Sequence, residues 1–418
     1  MPRITRDRTT WLTYSQLGLW GFFVYGFGPV VPLLRDEQGT SAAVAGLHST
    51  GIAVGALLGG ALFAPIVRRF GRAPTAWLGL AGVAVGVIAL GTFRALPTTL
   101  TSTAVVAAFG MLLISGVNVV LTAHHGPAAP AALTEANAAC AGMGILAPLV
   151  IGWSVDAGLG WRPVLAVEVG LIASLALVAL ALRVRPPRAP RVDVPAPRAP
   201  RVDAPAPGGN GASAAGRGGG RLPRAYWIAW ILMAVTGSIE VCLSLWTADV
   251  LRSHSGLSAG AASAAVAAIV CGMFLGRLAG GQVALRYPPV PLLLAALAVS
   301  GTGFAVFWLA PVGWLAVTGL VVLGLGNALH YPLAISIALA VSGAAADRAA
   351  GWSSYSMAVG FGIAPVALGW VADGVGAHLA FLLLPGFIAV SALLCLRLAR
   401  ALRVARTTVE PAAAVVGA

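Results

Sequence analysis

The chain places one carboxylate near the middle of a long apolar segment. Glu240 lies in Thr236-Gly237-Ser238-Ile239-Glu240-Val241, inside the apolar run 226–250. An acidic side chain at the centre of a membrane helix costs about 2.5–3.5 kcal/mol on insertion scales, so it marks a candidate functional site. Such a group binds and releases a proton or pairs with a cation. The sequence also leaves open a permanently neutral acid that only hydrogen-bonds between helices.

A second polar group occurs in the tenth apolar segment. Asn327, His330 and Tyr331 are spaced i, i+3 and i+4 and are therefore expected to share one face of the helix. An amide, an imidazole and a phenol on one face are typical of a polar cavity lining, and Pro332 beside them predicts a bend. A satisfied hydrogen-bond network between helices is the alternative.

Isolated polar residues occur in four other apolar segments. Tyr25 lies in the first and Asn118 in the fourth. Arg277 lies in the eighth, where it either pairs with a buried acid or extends to the membrane surface. Glu168, about one and a half turns inside the sixth segment, is expected at the membrane interface.

No residue pattern indicates catalysis or metal binding. The four cysteines fall in apolar segments with no pairing by spacing, and His124 and His125, being adjacent, point to different faces of a helix. No nucleophile–base pair occurs, so we expect neither an enzyme nor a cofactor or metal. There is no lysine to complete a nucleotide-binding Gly-x-x-x-x-Gly-Lys loop, which leaves an ion gradient, most simply of protons, as the energy source.

These residues must be positioned by membrane helices. Hydrophobic residues make up 59% of the 418 residues and charged residues only 9%, against about 25% in soluble domains. A membrane helix needs about 20 apolar residues. Twelve segments qualify, approximately 11–34, 42–64, 74–94, 99–121, 137–157, 163–183, 226–250, 259–284, 290–309, 312–338, 350–372 and 376–398. The composition predicts an all-α membrane protein.

The arginines are distributed unevenly between alternate connections. The net charge is +13, and the arginines gather at the N-terminus, in the second-to-third connection, in the central linker and at the C-terminal end. The opposite connections hold only Arg35, Arg94, Arg162 and Arg252. This positive-inside pattern predicts cytoplasmic termini in a multi-pass protein of the plasma (inner) membrane. We expect the lipid bilayer, and no nucleic acid, as a partner.

The chain repeats one unusual stretch. Ala147-Pro148-Leu149-Val150-Ile151-Gly152-Trp153-Ser154-Val155-Asp156 recurs 217 residues later as Ala364-Pro365-Val366-Ala367-Leu368-Gly369-Trp370-Val371-Ala372-Asp373. We interpret Pro148 and Pro365 as helix kinks in two similar halves. The predicted organisation is a six-helix bundle over 1–183, a Pro/Gly/Arg-rich disordered cytoplasmic linker over 184–224, a second six-helix bundle over 225–400 and a cytoplasmic tail over 401–418.

The loop after the second segment resembles the signature loop of the major facilitator superfamily, Gly-x-x-x-Asp-Arg-x-Gly-Arg. Arg69, Gly71 and Arg72 match it, while Ala64 and Arg68 stand where the family has Gly and Asp. A weaker copy follows the eighth segment at 281–288. The resemblance implies two six-helix bundles around a midplane cavity. It also implies that the loop with Arg69, Gly71 and Arg72 forms part of a cytoplasmic gate.

In that family the first, fourth, seventh and tenth helices line the cavity. The resemblance therefore implies a proton and substrate path lined by Tyr25, Asn118, Glu240, Asn327, His330 and Tyr331. Glu240 is expected as the proton or cation site, His330 as its relay partner and Arg277 as a charge partner.

The expected function is that of a monomeric secondary active transporter of a small molecule, coupled to protons. The proline motif favours efflux of an apolar or cationic compound, although the fourth helix lacks the Arg of many drug exporters. Proton-coupled uptake of a sugar or organic acid is the alternative. A membrane sensor or scaffold on the same fold is a second alternative.

Overall fold

The computed structural model describes residues 5–183, 222–284, 286–342 and 346–415, and these ranges contain helices but no β-strand. Most of the predicted linker, residues 184–221, lies outside the described residues. The helices are α1 (Arg8–Gln38), α2 (Ala42–Phe70), α3 (Arg72–Thr92), α4 (Leu96–His125), α5 (Ala129–Asp156), α6 (Arg162–Ala181), α7 (Arg224–Ser255), α8 (Ala259–Ala265), α9 (Ala267–Ala284), α10 (Pro289–Leu309), α11 (Gly313–Asn327), α12 (His330–Ser342), α13 (Ala346–Val375), α14 (Ala377–Ala380) and α15 (Leu383–Val415). A short 3-10 turn, Gly126–Ala128, separates α4 from α5.

Twelve of the described segments are long and apolar enough to cross a membrane. Three of these spans consist of two helices each: α8 with α9, α11 with α12, and α14 with α15. The break between α11 and α12 follows from Pro332, because a proline ring clashes with the carbonyl four residues before it, here that of Ala328. The prediction of an all-α protein with twelve membrane helices is confirmed.

The spans form two six-helix bundles, α1–α6 and α7–α15. In the first, α1 packs on α5, and α4 packs on α2 and α3. In the second, α7 packs on α13 and α15, and α11 packs on α9 and α10. We call the end of the molecule where α1 and α7 begin the termini face, and the other end, where α1 is followed by α2, the opposite face.

Capping fixes both ends of the first span. The Asp7 carboxylate accepts a hydrogen bond of 2.9 Å from the Thr10 amide, and Gly39 ends the helix with a φ of 61°. Partial burial acts to raise the pKa of Asp7. The hydrogen bonds from Thr10 and the neighbouring His124 outweigh it and hold that pKa below its ordinary value. Asp7 therefore remains an acceptor for both groups.

The first bundle is tied together at the opposite face by one arginine. Arg162, at the start of α6, donates to the carboxylate of Glu37 at 2.9 and 3.2 Å. It also donates to the carbonyls of Leu90 and Gly91 at 2.9 and 2.7 Å. One guanidinium thus joins α1, α3 and α6, because its five N–H donors reach several acceptors at once.

Glu168 is buried in the first bundle, and its expected place at the depth of the membrane interface stays a prediction. Its exposed fraction is 1%, and neither carboxyl oxygen has a hydrogen-bond partner among the described residues. It faces the aromatic rings of Phe23, Phe27 and Trp161 and the side chain of Ile151. Packing of α6 against the neighbouring helices therefore buries this side chain.

Replacing Glu168 by leucine is expected to stabilise the protein. An unsatisfied buried polar group costs about 1–3 kcal/mol, and an apolar side chain of similar size removes that cost. The free energy of unfolding should rise by about that amount, measured by thermal unfolding in detergent. Glu168→Gln, which keeps the polar demand, is the control and should unfold near the wild-type temperature. A lower melting temperature for the leucine variant would contradict this account.

Candidate functional site

Two adjoining chambers lie between the bundles. The wide chamber has a volume of about 510 Å³ and extends toward the termini face. The narrow chamber has a volume of about 120 Å³ and lies nearer the opposite face. Both are lined in part by Glu240 and Phe361. The molecule therefore encloses one stepped cavity with a carboxylate where the two chambers join.

Glu240 lies on α7 and is half-buried. Its neighbours Thr236 and Ser238 bond the carbonyls of Met233 and Ala234 within the same helix, at 3.1 and 2.9 Å, and so do not serve the carboxylate. Among the described residues no direct hydrogen bond or ion pair to Glu240 is formed. The carboxylate is thus available to a proton or a ligand.

Arg277 of α9 lines the wide chamber with its side chain exposed to it. Glu240 lines the same chamber, and Tyr25 lines the narrow chamber together with Glu240. Tyr25 lies against Gly144, where any larger residue would meet the ring. Arg277 forms no ion pair with an acidic side chain among the described residues, so its pairing with Glu240 stays a prediction.

The polar group of the tenth span is divided. Asn327 and Tyr331 line the wide chamber, and the Asn327 amide donates to the Met273 sulfur at 3.7 Å. His330 is 1% exposed and contacts the Ser300 hydroxyl through Nε2 at 3.2 Å, on the side facing α10. The three residues do not share one face because the helix is interrupted at Ala328 and restarts at His330. The structure does not bring His330 to Glu240.

Asn118 is half-buried on α4 and is not among the residues that line these two chambers. The sequence analysis missed Asn137, Phe274, Met357 and Phe361, which do line the wide chamber. Asn137 carries a signal in the sequence, as an amide at the start of the fifth apolar segment. The other three are apolar, and nothing in their residue type separates a cavity wall from a packed core.

The bundles meet at the opposite face in a closed seam built from the repeated stretch. The carboxylate of Asp156, at the end of α5, accepts hydrogen bonds from the Gly260 amide and the Ser258 hydroxyl at the start of α8, both 3.1 Å long. Asp373 in α13 accepts from the amides of Ala42 and Ala43 at the start of α2, at 2.7 and 3.0 Å. Each copy therefore caps a helix of the other bundle.

Glycines and two ion pairs between α1 and α7 complete this seam, one of them between Arg252 and Asp36 at 2.8 Å. Gly28 of α1 lies against the Ser244 backbone of α7, where a Cβ atom has no room. Arg35 forms two hydrogen bonds with the Asp249 carboxylate, at 2.6 and 2.9 Å. Two-point binding of this kind gives a strong, oriented contact. The cavity is therefore shut off from the opposite face.

Pro148 and Pro365 lie inside helices α5 and α13, which continue through them. A Cβ atom added to Gly46 in α2 would lie 2.8 Å from the carbonyl oxygen of Pro365, so this part of α13 belongs to the seam. A bend at either proline during gating stays a prediction.

The loop between α2 and α3 lies at the termini face. Gly71 has a φ of 89°, a conformation that favours glycine, and its amide caps α2 by donating to the Val67 carbonyl at 2.8 Å. Arg69 and Arg72 are exposed, and Arg69 lies over the ring of Phe70 at 5.6 Å. Among the described residues these arginines form no ion pair, so the role of this loop as a gate stays a prediction.

A cavity between two six-helix bundles, closed at one face by contacts between the bundles, is the architecture of secondary transporters. The chain belongs to the Major Facilitator Superfamily, whose family model matches residues 17–354. Its members are transporters. No curated protein matches the chain by sequence.

Solved structures share the fold at low sequence identity. A bacterial homologue of the human lysosomal transporter Spinster, inward-facing and unoccupied, gives a TM-score of 0.72 at 16% identity, covering 94% of this chain and 97% of that one. A point mutant of the nucleoside transporter NupG gives a TM-score of 0.71 at 14% identity, covering 93% of this chain and 98% of that one. A D-xylose–proton symporter gives a TM-score of 0.70 at 14% identity, covering 93% of this chain and 96% of that one.

Proposed function

We propose that the protein is a proton-coupled secondary active transporter of a small organic molecule, with Glu240 as the proton site. The observation that carries this proposal is the position of Glu240, at the junction of the two chambers and without a direct partner among the described residues. A carboxyl that meets both chambers changes the charge of the whole cavity when it gains a proton.

The closed seam supports a rocking mechanism. With the termini face in the cytoplasm, the structure corresponds to an inward-facing state in which the seam blocks the outside. Transport requires the seam to open while the termini face closes, so that the cavity meets each side in turn. Protonation of Glu240 adjusts the balance between the two states, because proton and substrate bind them with different affinity.

The direction of transport and the nature of the substrate belong to this proposal. The sequence favours efflux of an apolar or cationic compound, and the apolar lining of the narrow chamber supports an apolar substrate body. Arg277 in the wide chamber counts against a purely cationic one. Arg277 favours the alternative function, proton-coupled uptake of an organic acid. A sensor or scaffold would not need two opposite charges facing an open chamber.

The test compares small molecules inside and outside cells that produce the wild type, the Glu240→Gln variant or no transporter. We expect one compound to change its distribution only with the wild type, and only while the proton gradient is maintained. Glu240→Gln should lower this movement at least tenfold, because glutamine cannot exchange a proton. The measurement is mass spectrometry of cells and medium, with and without a protonophore.

Glu168→Gln is the matched control. It makes the same change at another buried carboxyl of a membrane span, one that faces neither of the two chambers, and should transport like the wild type. Equal transport by the wild type and Glu240→Gln would show that the proton site is wrong. A broad panel without any change in distribution would favour the sensor or scaffold.

A further inference from the structure

We infer that the substrate is an amphipathic organic anion, with its charged head on Arg277 and its apolar tail in the narrow chamber. The inference rests on the proposed transport function and names the substrate class of that same cavity. Three features of the cavity carry it: the apolar narrow chamber, the cation in the wide chamber and the balance of charge between Arg277 and Glu240.

The narrow chamber accepts an apolar group. Apart from Glu240, its walls are mainly hydrophobic, including Phe27, Ile52, Leu245, Ile269 and Met273. The Ser49 hydroxyl on its wall already donates to the Phe361 carbonyl at 2.6 Å. A dry apolar cavity of about 150 Å³ admits a benzene molecule. The 120 Å³ of this chamber therefore suit a tail of about five or six carbon atoms.

The wide chamber supplies the head site. Its lining contains Arg277 together with Asn137, Asn327 and Tyr331, and its 510 Å³ leave room for the charged end of a molecule and its water. The guanidinium presents a planar set of donors that fits a carboxylate at two points. Arg6, Arg35, Arg162 and Arg252 all form ion pairs with acidic side chains, whereas Arg277 forms none among the described residues.

Charge balance selects an anion. While Glu240 is ionised, it and Arg277 compensate each other across the cavity. Once Glu240 binds a proton, the cavity carries the charge of Arg277 alone, and an anion restores neutrality. A cation paired with Glu240 would leave the charge of Arg277 without a counter-ion in the cavity, and the repulsion between the two positive charges opposes binding of the cation. Proton and anion therefore occupy the cavity together.

The test measures binding to the purified full-length protein in a non-ionic detergent, with no gradient. The probes are straight-chain carboxylates from acetate to decanoate and alkylammonium ions of the same lengths, titrated by calorimetry. We expect carboxylates to bind and alkylammonium ions not to. Affinity should rise about fourfold for each added methylene, up to a tail of about six carbons, and then level off.

Substitutions at three positions locate the head and the tail. Arg277→Gln should weaken carboxylate binding at least tenfold, and Arg277→Lys should restore part of it. Arg94→Gln removes a positive charge from an exposed position and should leave binding unchanged. Val270→Phe reduces the volume of the narrow chamber and should shorten the preferred tail. Val270→Ile is the milder change if the phenylalanine variant does not fold.

The inference is overturned if alkylammonium ions bind more tightly than carboxylates. It is also overturned if Arg277→Gln binds carboxylates as well as the wild type does, or if the affinity does not depend on tail length. The binding assay needs no proton gradient, so its result is separate from that of the transport assay. Carboxylate binding without proton-dependent transport would contradict the proposed function and still support the inference. Proton-coupled movement of a cation or a sugar would do the reverse.

Discussion

Replacing Gly152 or Gly369 by valine is expected to hold the seam open and to reduce transport to background. A Cβ at Gly152 would lie 2.5 Å from the Gly260 carbonyl oxygen, and one at Gly369 would lie 2.5 Å from that of Ala42. These obstacles are backbone atoms of helices in the other bundle, so no side-chain rotation relieves the clash. The clash falls on the contact between the bundles, so the two cannot close on each other.

The position of the seam is measured by labelling a cysteine at Ser244 with a membrane-impermeant maleimide, after the four native cysteines have been changed to alanine. Labelling from the opposite face should be slow in the wild type and fast in either valine variant. Gly170→Val is the control, because no atom lies within 4 Å of its Cβ position. Slow labelling and normal transport in Gly152→Val and Gly369→Val would show that the seam tolerates separation there.

Removing the two capping carboxylates is expected to shift the equilibrium between the closed and the open seam toward the open one. The shift should be smaller than that of the valine variants, and the two caps should contribute additively. A side-chain cap contributes about 1 kcal/mol, and Asp156 and Asp373 each cap a helix only while the seam is closed. Asp156→Ala or Asp373→Ala should therefore raise the population of the open seam about fivefold. The two caps are separate sites without a shared partner, so the double variant should give about thirtyfold.

The Ser244 labelling rate reports this population directly. Asparagine retains an acceptor for the helix amides, so Asp156→Asn and Asp373→Asn should give a smaller increase than the alanine variants. If the double alanine variant labels no faster than the wild type, the caps form without stabilising the closed seam. If it labels no faster than one single variant, one of the two sites carries the whole effect.

The fold could be predicted from the sequence because lipid imposes a simple rule. Each span must be about 20 apolar residues long, and any departure from that composition stands out. Glu240 was recognisable for the same reason, as one charge inside an apolar run. The repeated stretch also showed that the chain has two related halves.

The site was only partly predictable, because spacing along a helix gives a face only while the helix is regular. The break before His330 changed its direction relative to Asn327, and Tyr331, the next residue of α12, points to a different side from His330. Arg277 was undecided, since an arginine near a helix end reaches either the surface or the interior. The capping role of Asp156 was hidden because its partners, at the start of α8, lie in the other bundle.

The capping arrangement at the seam is the same in both halves of the chain. Ser41 and Ser258 are separated by 217 residues, as are Asp156 and Asp373, and each aspartate reaches the helix start marked by the serine of the other half. Exchanging the halves leaves this pattern of contacts unchanged, which is the property of an isologous interface in a two-fold homodimer. A half-length ancestor would therefore have possessed both sides of this interface and closed it by pairing with a second copy of itself. Gene fusion then needed to supply only a connection, and the two cavity walls became free to diverge, with a glutamate on one helix and an arginine on another.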